Sequence, residues 1–368
     1  MASESGFKRQ IRAEAKSLGF DDCRITDAQP PESRQHYQAW IAEGCHGRMG
    51  YLERNMEKRC NPALVLPHVR SIITLATSYT PPAEPQTHLT HNPNATGLVA
   101  RYACYSDYHD ILAERLKRLT QQINELGGDK TQSLWYVDTG PVLERDLAQR
   151  AGIGFIGKHT NLVSRRLGNW FFLAEILTTL DLPPDPSEKN RCGRCQQCLT
   201  ACPTDAITKP FHLDARRCIA YLTIELKGPI PVELRPLIGN RIFGCDDCLA
   251  ACPWNRFAQT SRIMKSYAQP NLQAVDLETW LNLSPDEFKT RFRGTPFFRS
   301  KWRGILRNVC VATGNTGNRN HLPSLQTLAS HSDELVSEHA RWAIAEIERR
   351  CPSDHPIADG ETSRLDDV

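Results

Sequence analysis

Eight of the 14 cysteines in this 368-residue chain lie between positions 192 and 252, and their spacing leaves that stretch few ways to fold. The first run reads Cys192-Gly-Arg-Cys195-Gln-Gln-Cys198-Leu-Thr-Ala-Cys202-Pro203. The second reads Cys245-Asp-Asp-Cys248-Leu-Ala-Ala-Cys252-Pro253, and Cys218 lies between them. C-x2-C-x2-C-x3-C-P is a spacing that wraps iron–sulfur cubanes, with the fourth thiolate crossing to the other cluster. Cys192, Cys195 and Cys198 then hold one cluster, and Cys252 returns from the second run as its fourth ligand. Cys202 crosses to join Cys245 and Cys248, and Cys218 supplies the remaining place. The expected outcome is two 4Fe–4S clusters in a ferredoxin-like domain.

Structural zinc is the alternative for paired C-x2-C units, but it leaves the two C-x3-C-P endings unexplained. Disulfides fit less well, because Met1-Ala-Ser-Glu-Ser-Gly-Phe-Lys-Arg is polar and reducing cytosol keeps thiols free; a cytoplasmic protein is expected. Cys23, Cys45, Cys60, Cys104, Cys310 and Cys351 are scattered and read as ordinary buried thiols.

The length is too great for a cluster module alone and suggests two or three domains. Trp170-Phe-Phe-Leu-Ala-Glu-Ile-Leu is the best candidate for a membrane segment, yet it is short and contains Glu175. No membrane partner is expected. Periodicity predicts a helix over 7–18, a buried strand over 69–77, a proline-rich loop with Pro81, Pro82, Pro85 and Pro93, and a helix over 108–126 stopped by Gly127-Gly128. A strand at 133–137, a short helix at 143–151 and an apolar strand at 169–177 complete an α/β domain over 1–185. The cluster domain spans 186–265. Helices at 302–313, 322–330 and 333–349 suggest an all-α, HEAT-like domain over 266–351. The tail, 352–368, is polar and expected to be disordered.

Four constellations lie outside the cysteines. Gly152-Ile-Gly154-Phe-Ile-Gly157 matches G-x-G-x-x-G, but a dinucleotide fingerprint follows a strand and opens a helix. A helix precedes these glycines, so a tight turn approaching a large flat ligand fits better. Asp107-Tyr-His109-Asp-Ile-Leu112 has half of the D-x-H-x-x-G pattern by which some proteins ligate cobalamin. Leucine replaces the glycine, so direct ligation is not supported and His109 reads as a helix-start residue. Asp138, in Asp138-Thr-Gly-Pro141, is either a turn-capping aspartate or an exposed functional carboxylate. From Phe288 to Ser332 there is no Asp or Glu, while Lys289, Arg291, Arg293, Arg299, Lys301, Arg303, Arg307 and Arg319 interleave with Phe292, Phe297, Phe298 and Trp302. That is a polyanion footprint or a solvated face over an aromatic core.

Taken together, the cysteine runs, Asp138-Thr-Gly-Pro with Leu-Glu-Arg145, Ala151-Gly-Ile-Gly-Phe-Ile-Gly-Lys158, His46-Gly-Arg-Met-Gly-Tyr-Leu, Arg101-Tyr with Asp107-Tyr-His109, Cys218-Ile-Ala-Tyr-Leu-Thr-Ile-Glu225 and Leu306-Arg-Asn-Val resemble the epoxyqueuosine reductase family. The resemblance implies a cobalamin-dependent iron–sulfur enzyme that deoxygenates epoxyqueuosine to queuosine at the tRNA wobble position, taking up two electrons and two protons. It implies Asp138 as proton donor, and Arg59, Arg101, Asp138, Leu162, Leu173, Asp246 and Asp247 as cobalamin contacts. It also implies an anticodon stem-loop and a small external electron donor as partners; nothing in the sequence suggests an obligate partner, and a monomer is expected. The competing readings are a dehalogenase-like reductase of a small molecule and a bare ferredoxin-type carrier; the latter leaves the first domain as unexplained surplus.

Overall fold

The structure, a computed structural model, describes residues 6–81, 96–272 and 274–352; Pro82, Pro85, Pro93 and the tail beyond 352 lie outside the described residues. The first segment is organised around four strands: β1 (Asp22–Asp27), β2 (Ser71–Ser78), β3 (Ser133–Tyr136) and β4 (Phe171–Thr178), in the order β1-β2-β4-β3. β2 is buried at all eight positions because it is covered on both faces, which is why it reads as a continuous apolar run. Ile73 and Leu75 point into a core shared with Ile11 and Ala15 of α1 (Gly6–Ser17) and with Ile111, Leu112, Leu116, Leu119 and Ile123 of α2 (Tyr108–Gly127). On the opposite face Ile72 meets Leu147 of α3 (Glu144–Arg150) with Val142 and Leu177.

Each large aliphatic side chain so buried contributes about 1.5–3 kcal/mol, so docking on the sheet rather than intrinsic propensity holds α2 in place. Its ends follow local chemistry. The Asp107 carboxylate accepts from the His109 backbone N–H at 3.0 Å, capping the start, and Gly128 at φ +78° closes the finish.

All neighbouring strands in this sheet are antiparallel. β2 and β3 do run the same way, joined by a crossover through α2. β4 then inserts between them in the opposite sense, pairing Ile73 with Ile176 on one side and Trp135 with Ile176 on the other. Nothing local to β4 records which gap it will fill.

In the cysteine-rich stretch, two one-turn helices, Gln197–Thr200 and Asp247–Ala250, occupy the C-x3-C spacers and pack against each other. Pro203 and Pro253 stop them. A three-stranded sheet binds this stretch to its neighbours: Thr96–Val99 is central, parallel to Arg241–Phe243 and antiparallel to Ala274–Asp276.

Three helices follow, close to the expected ranges: α4 (Lys301–Thr316), α5 (Leu322–Ala329) and α6 (Glu334–Arg350). Every residue of α4 from Gly304 to Gly314 is buried, so this is a central helix rather than an amphipathic surface one. It packs against α6 and against the one-turn π-helix Tyr221–Glu225 that follows Cys218. No helix among the described residues is long and apolar enough to cross a membrane.

Candidate active site and cluster ligands

The thiols gather as the spacing arithmetic groups them. The thiol charges acting on Cys198 are those of Cys192, Cys252 and Cys195, while those acting on Cys248 are Cys218, Cys245 and Cys202. Burial pushes both thiols up, Cys248 well above its ordinary range, so four thiolates at either place require a cationic centre to neutralise them. The donor chemistry of both quartets suits iron–sulfur clusters. Around the first quartet Lys158 donates to the carbonyls of Gly193 (2.9 Å) and Cys195 (2.8 Å), fixing the ligand loop. His159 lines the same pocket with Cys192, Cys198 and Trp254. Burial lowers its imidazole to about 4, leaving it neutral, and its Nε2 has no partner. At the second quartet Ala206 donates its N–H to the Cys202 sulfur at 3.3 Å.

Asp138 follows β3 in a turn closed by the Thr139 N–H on the Val137 carbonyl at 2.5 Å, with Asp138 at φ +56°. This three-residue turn is a strained one, and aspartate tolerates the left-handed region better than most residues. Its side chain is 52% exposed, so the carboxylate is presented rather than used as a cap. Three groups hold it. The Tyr108 hydroxyl donates to Oδ2 at 2.9 Å. His109 Nε2, which lacks a hydrogen-bond partner, stands 3.8 Å from the same oxygen, while its Nδ1 meets Asp107 at 2.8 Å. Arg59, buried, donates to the carbonyls of Gly140 (3.2 Å) and Val142 (3.3 Å), bracing the far side of the turn. The D-Y-H triplet was legible as a helix start; that this start aims Tyr108 and His109 at Asp138 follows from where α2 docks.

The turn and the second quartet are joined by a short chain of contacts. Tyr108 stacks on Phe172 (4.1 Å, 6°) and meets Tyr102 edge-on at 6.2 Å. The adjacent Arg101 donates its backbone N–H to Asp246 at 2.6 Å and lays its guanidinium over Trp170 at 4.3 Å. Burial raises Asp246 to about 6 against the pull of Arg101, and Asp247 is paired with Arg241 at 2.6 Å. Leu162 and Leu173 meet in one small apolar cluster with Ala76 and Ala148. A half-exposed carboxylate beside aromatic and apolar side chains is a donor set that fits a large flat cofactor such as a corrin.

Two expectations need correction. The close approach made by the glycine turn is internal: a Cβ at Gly152, where φ is +85°, would lie 2.3 Å from the Pro186 carbonyl, and one at Gly154 would lie 2.3 Å from that of Val163. The basic run is not one patch. Arg307 is 1% exposed and donates to the carbonyls of Leu222, Leu226 and Gly228, each at 2.7 Å. Arg303 pairs with Asp333 (3.1 Å), Lys289 with Asp286 (3.1 Å) and Arg299 with Glu225 (2.8 Å). Phe292 and Phe297 are core, whereas Phe298 is exposed.

Paired cysteine quartets set beside a presented carboxylate define an iron–sulfur oxidoreductase. Residues 191–255 match the family described as "4Fe-4S double cluster binding domain", and residues 59–139 match "Epoxyqueuosine reductase QueG, DUF1730". The chain is 40% identical over 344 residues to the epoxyqueuosine reductase of Pseudomonas aeruginosa, covering 91% of this chain and 93% of that one. It is 40% identical over 348 residues to that of Escherichia coli, covering 93% and 90%. Among solved structures, an epoxyqueuosine reductase crystallised with an epoxyqueuosine-modified tRNA-Tyr stem loop superposes with a TM-score of 0.84 at 31% identity, covering 92% of this chain and 90% of that one. The Bacillus subtilis enzyme, with its catalytic aspartate loop swung out of the active site, gives 0.83 at 30% identity, covering 92% and 90%. The chain belongs to the epoxyqueuosine reductase family.

Proposed function

We propose that this chain reduces epoxyqueuosine to queuosine at the wobble position of tRNA, using two 4Fe–4S clusters and cobalamin. One cluster sits on Cys192, Cys195, Cys198 and Cys252, and the other on Cys202, Cys218, Cys245 and Cys248. The observation that carries this reading is the short path Asp138–Tyr108–Tyr102/Arg101–Asp246, which ends between the second quartet's Cys245 and Cys248. It links the proposed proton donor to the proposed electron source through a few adjoining side chains. The bound cofactors supply single electrons from an external donor and a low-valent cobalt at the epoxide.

The residues of the chain do the rest. Arg59 and the strained turn present Asp138, Tyr108 orients its carboxyl, and Asp138 gives its proton to the oxygen released as the ring opens. Such general acid catalysis is worth about 10²- to 10⁴-fold. Arg101, Leu162, Leu173, Asp246 and Asp247 line the corrin side. Arg299, near Asp138 and Tyr51, and the exposed Lys301 meet the backbone of the anticodon stem-loop, and α4–α6 serve as a HEAT-like platform for the RNA. The enzyme works as a monomer.

The test is anaerobic incubation of the reconstituted enzyme with cobalamin, reductant and an epoxyqueuosine-bearing stem-loop. Mass analysis should show the loss of one oxygen from the modified base. An unmodified substrate mass with both clusters and cobalamin in place would refute the reading.

A further inference from the structure

The reduction consumes two protons per turnover, and Asp138 carries one. A second carboxyl group and a third lie behind it. Glu175 is 0% exposed, on β4, where it pairs with Tyr136 of β3 two residues before Asp138. Glu144 opens α3 six residues after Asp138. Neither oxygen of Glu175 has a hydrogen-bond partner, and nor does Oε1 of Glu144. Glu144 is half-buried as a residue, but that oxygen is closed to solvent.

Two carboxylates are both acceptors, so as anions these groups can only repel each other. The orphaned oxygens are satisfied at once if the pair holds a proton: the Glu175 carboxyl then donates to Glu144. A lone buried acid would be an expensive defect, whereas a pair sharing a proton is the arrangement found where carboxyls are kept neutral for proton transfer.

We infer that Glu144 and Glu175 form a proton store that reloads Asp138 during the reduction. This rests on the function proposed above. The order follows adjacency: Asp138 is the largest charge acting on Glu144, and Glu144 the largest acting on Glu175. When Asp138 has protonated the oxygen anion, the pair's one proton moves from Glu175 through Glu144 to the Asp138 carboxylate. Asp138 then delivers the second proton, water leaves, and the pair is refilled from bulk through the half-buried Glu144. Proton count balances: two from solvent, two into the released water. No additional reductant or oxidant is involved. The other charges facing the pair are the guanidinium groups of Arg145 and Arg59, which pull the Glu144 proton off and act against burial and Asp138.

Burial holds both carboxyls above the usual carboxylate range. A group whose pKa is raised keeps its proton below that value and loses it as pH rises through it. Turnover should therefore fall on the alkaline side as the store empties.

The test uses Glu175→Gln, which keeps the side-chain shape and still donates an N–H to Glu144, so a structural role survives it. Infrared spectra of the protein without cobalamin at pH 7 should show a neutral carboxylic-acid carbonyl band that disappears in this variant. With the holoenzyme, kcat on the stem-loop should fall about tenfold or more, with KM, iron content and cobalamin binding unchanged and the alkaline limb displaced. Absence of the infrared band, or a variant with the wild-type kcat and pH profile, overturns the inference. A wild-type enzyme that shows the band but leaves the stem-loop unreduced would instead sink the functional reading, and the relay with it.

Discussion

Asp138→Asn separates proton donation from positioning, because the structure says what each replacement retains. Asn keeps a carbonyl oxygen where Tyr108 donates at 2.9 Å, keeps the volume, and tolerates the left-handed backbone at φ +56°. The turn should stay where Arg59 holds it by Gly140 and Val142. Only the transferable proton is lost. A positioned general acid is worth about 10²- to 10⁴-fold, or about 2.7–5.4 kcal/mol of barrier, and kcat should drop within that range while KM for the stem-loop holds. Tyr108→Phe is the complementary change: it leaves the acid and removes one hydrogen bond to a half-exposed carboxylate, so about tenfold or less is expected. Single-turnover reduction, followed by mass analysis under anaerobic conditions, measures both. If Asp138→Asn turns over within about threefold of wild type while Tyr108→Phe is equally active, the carboxylate is not the donor, and the argument from its presentation fails.

Cys218→Ala should lower reconstituted iron from about eight to about four per chain, measured by iron assay; retention of all eight would break the crossed ligand count. Arg307→Met strands the buried carbonyl of Leu222 and the partly buried ones of Leu226 and Gly228, at about 1–3 kcal/mol for each that finds no water. A clear fall in thermal midpoint should follow, with the second cluster lost first because the clamped segment follows Cys218; an unchanged midpoint would show the clamp to be unimportant. Reversing Arg299 and Lys301 to Glu should weaken stem-loop binding and reduce the salt slope by roughly 1.4–1.8, at 0.7–0.9 per phosphate contact. Binding titrations at several salt concentrations decide this, and an unaltered slope places the RNA elsewhere.

What the sequence disclosed follows from where each constraint acts. Cysteine spacing is legible because ligation acts along a few residues of chain, with proline ending each one-turn helix. The helices from Lys301 to Arg350 are legible for the same local reason, as apolar segments separated by short polar turns. Burial of charge is not local. Arg307 sits in a run of eight cations without an acid between them, and sequence gives no means to distinguish it from Lys301; only the docking of α4 against Tyr221–Glu225 turns its guanidinium inward to cap three carbonyls. Glu175 shows the same limit more sharply. In the chain it is the one charge that spoils an apolar run, a reason to reject a membrane segment and nothing more. Its partner lies on a different element, and the two meet because β4 slots antiparallel between β2 and β3, in a register that sets Glu175 opposite both Thr74 and Tyr136. A shift of one residue would turn Glu175 to the other face of the sheet, leaving Glu144 without a partner and Asp138 without the carboxyls behind it. The register of β4 is thus what assembles the acid side of the site, and the cysteine runs, the most predictable part of the chain, could not have revealed it.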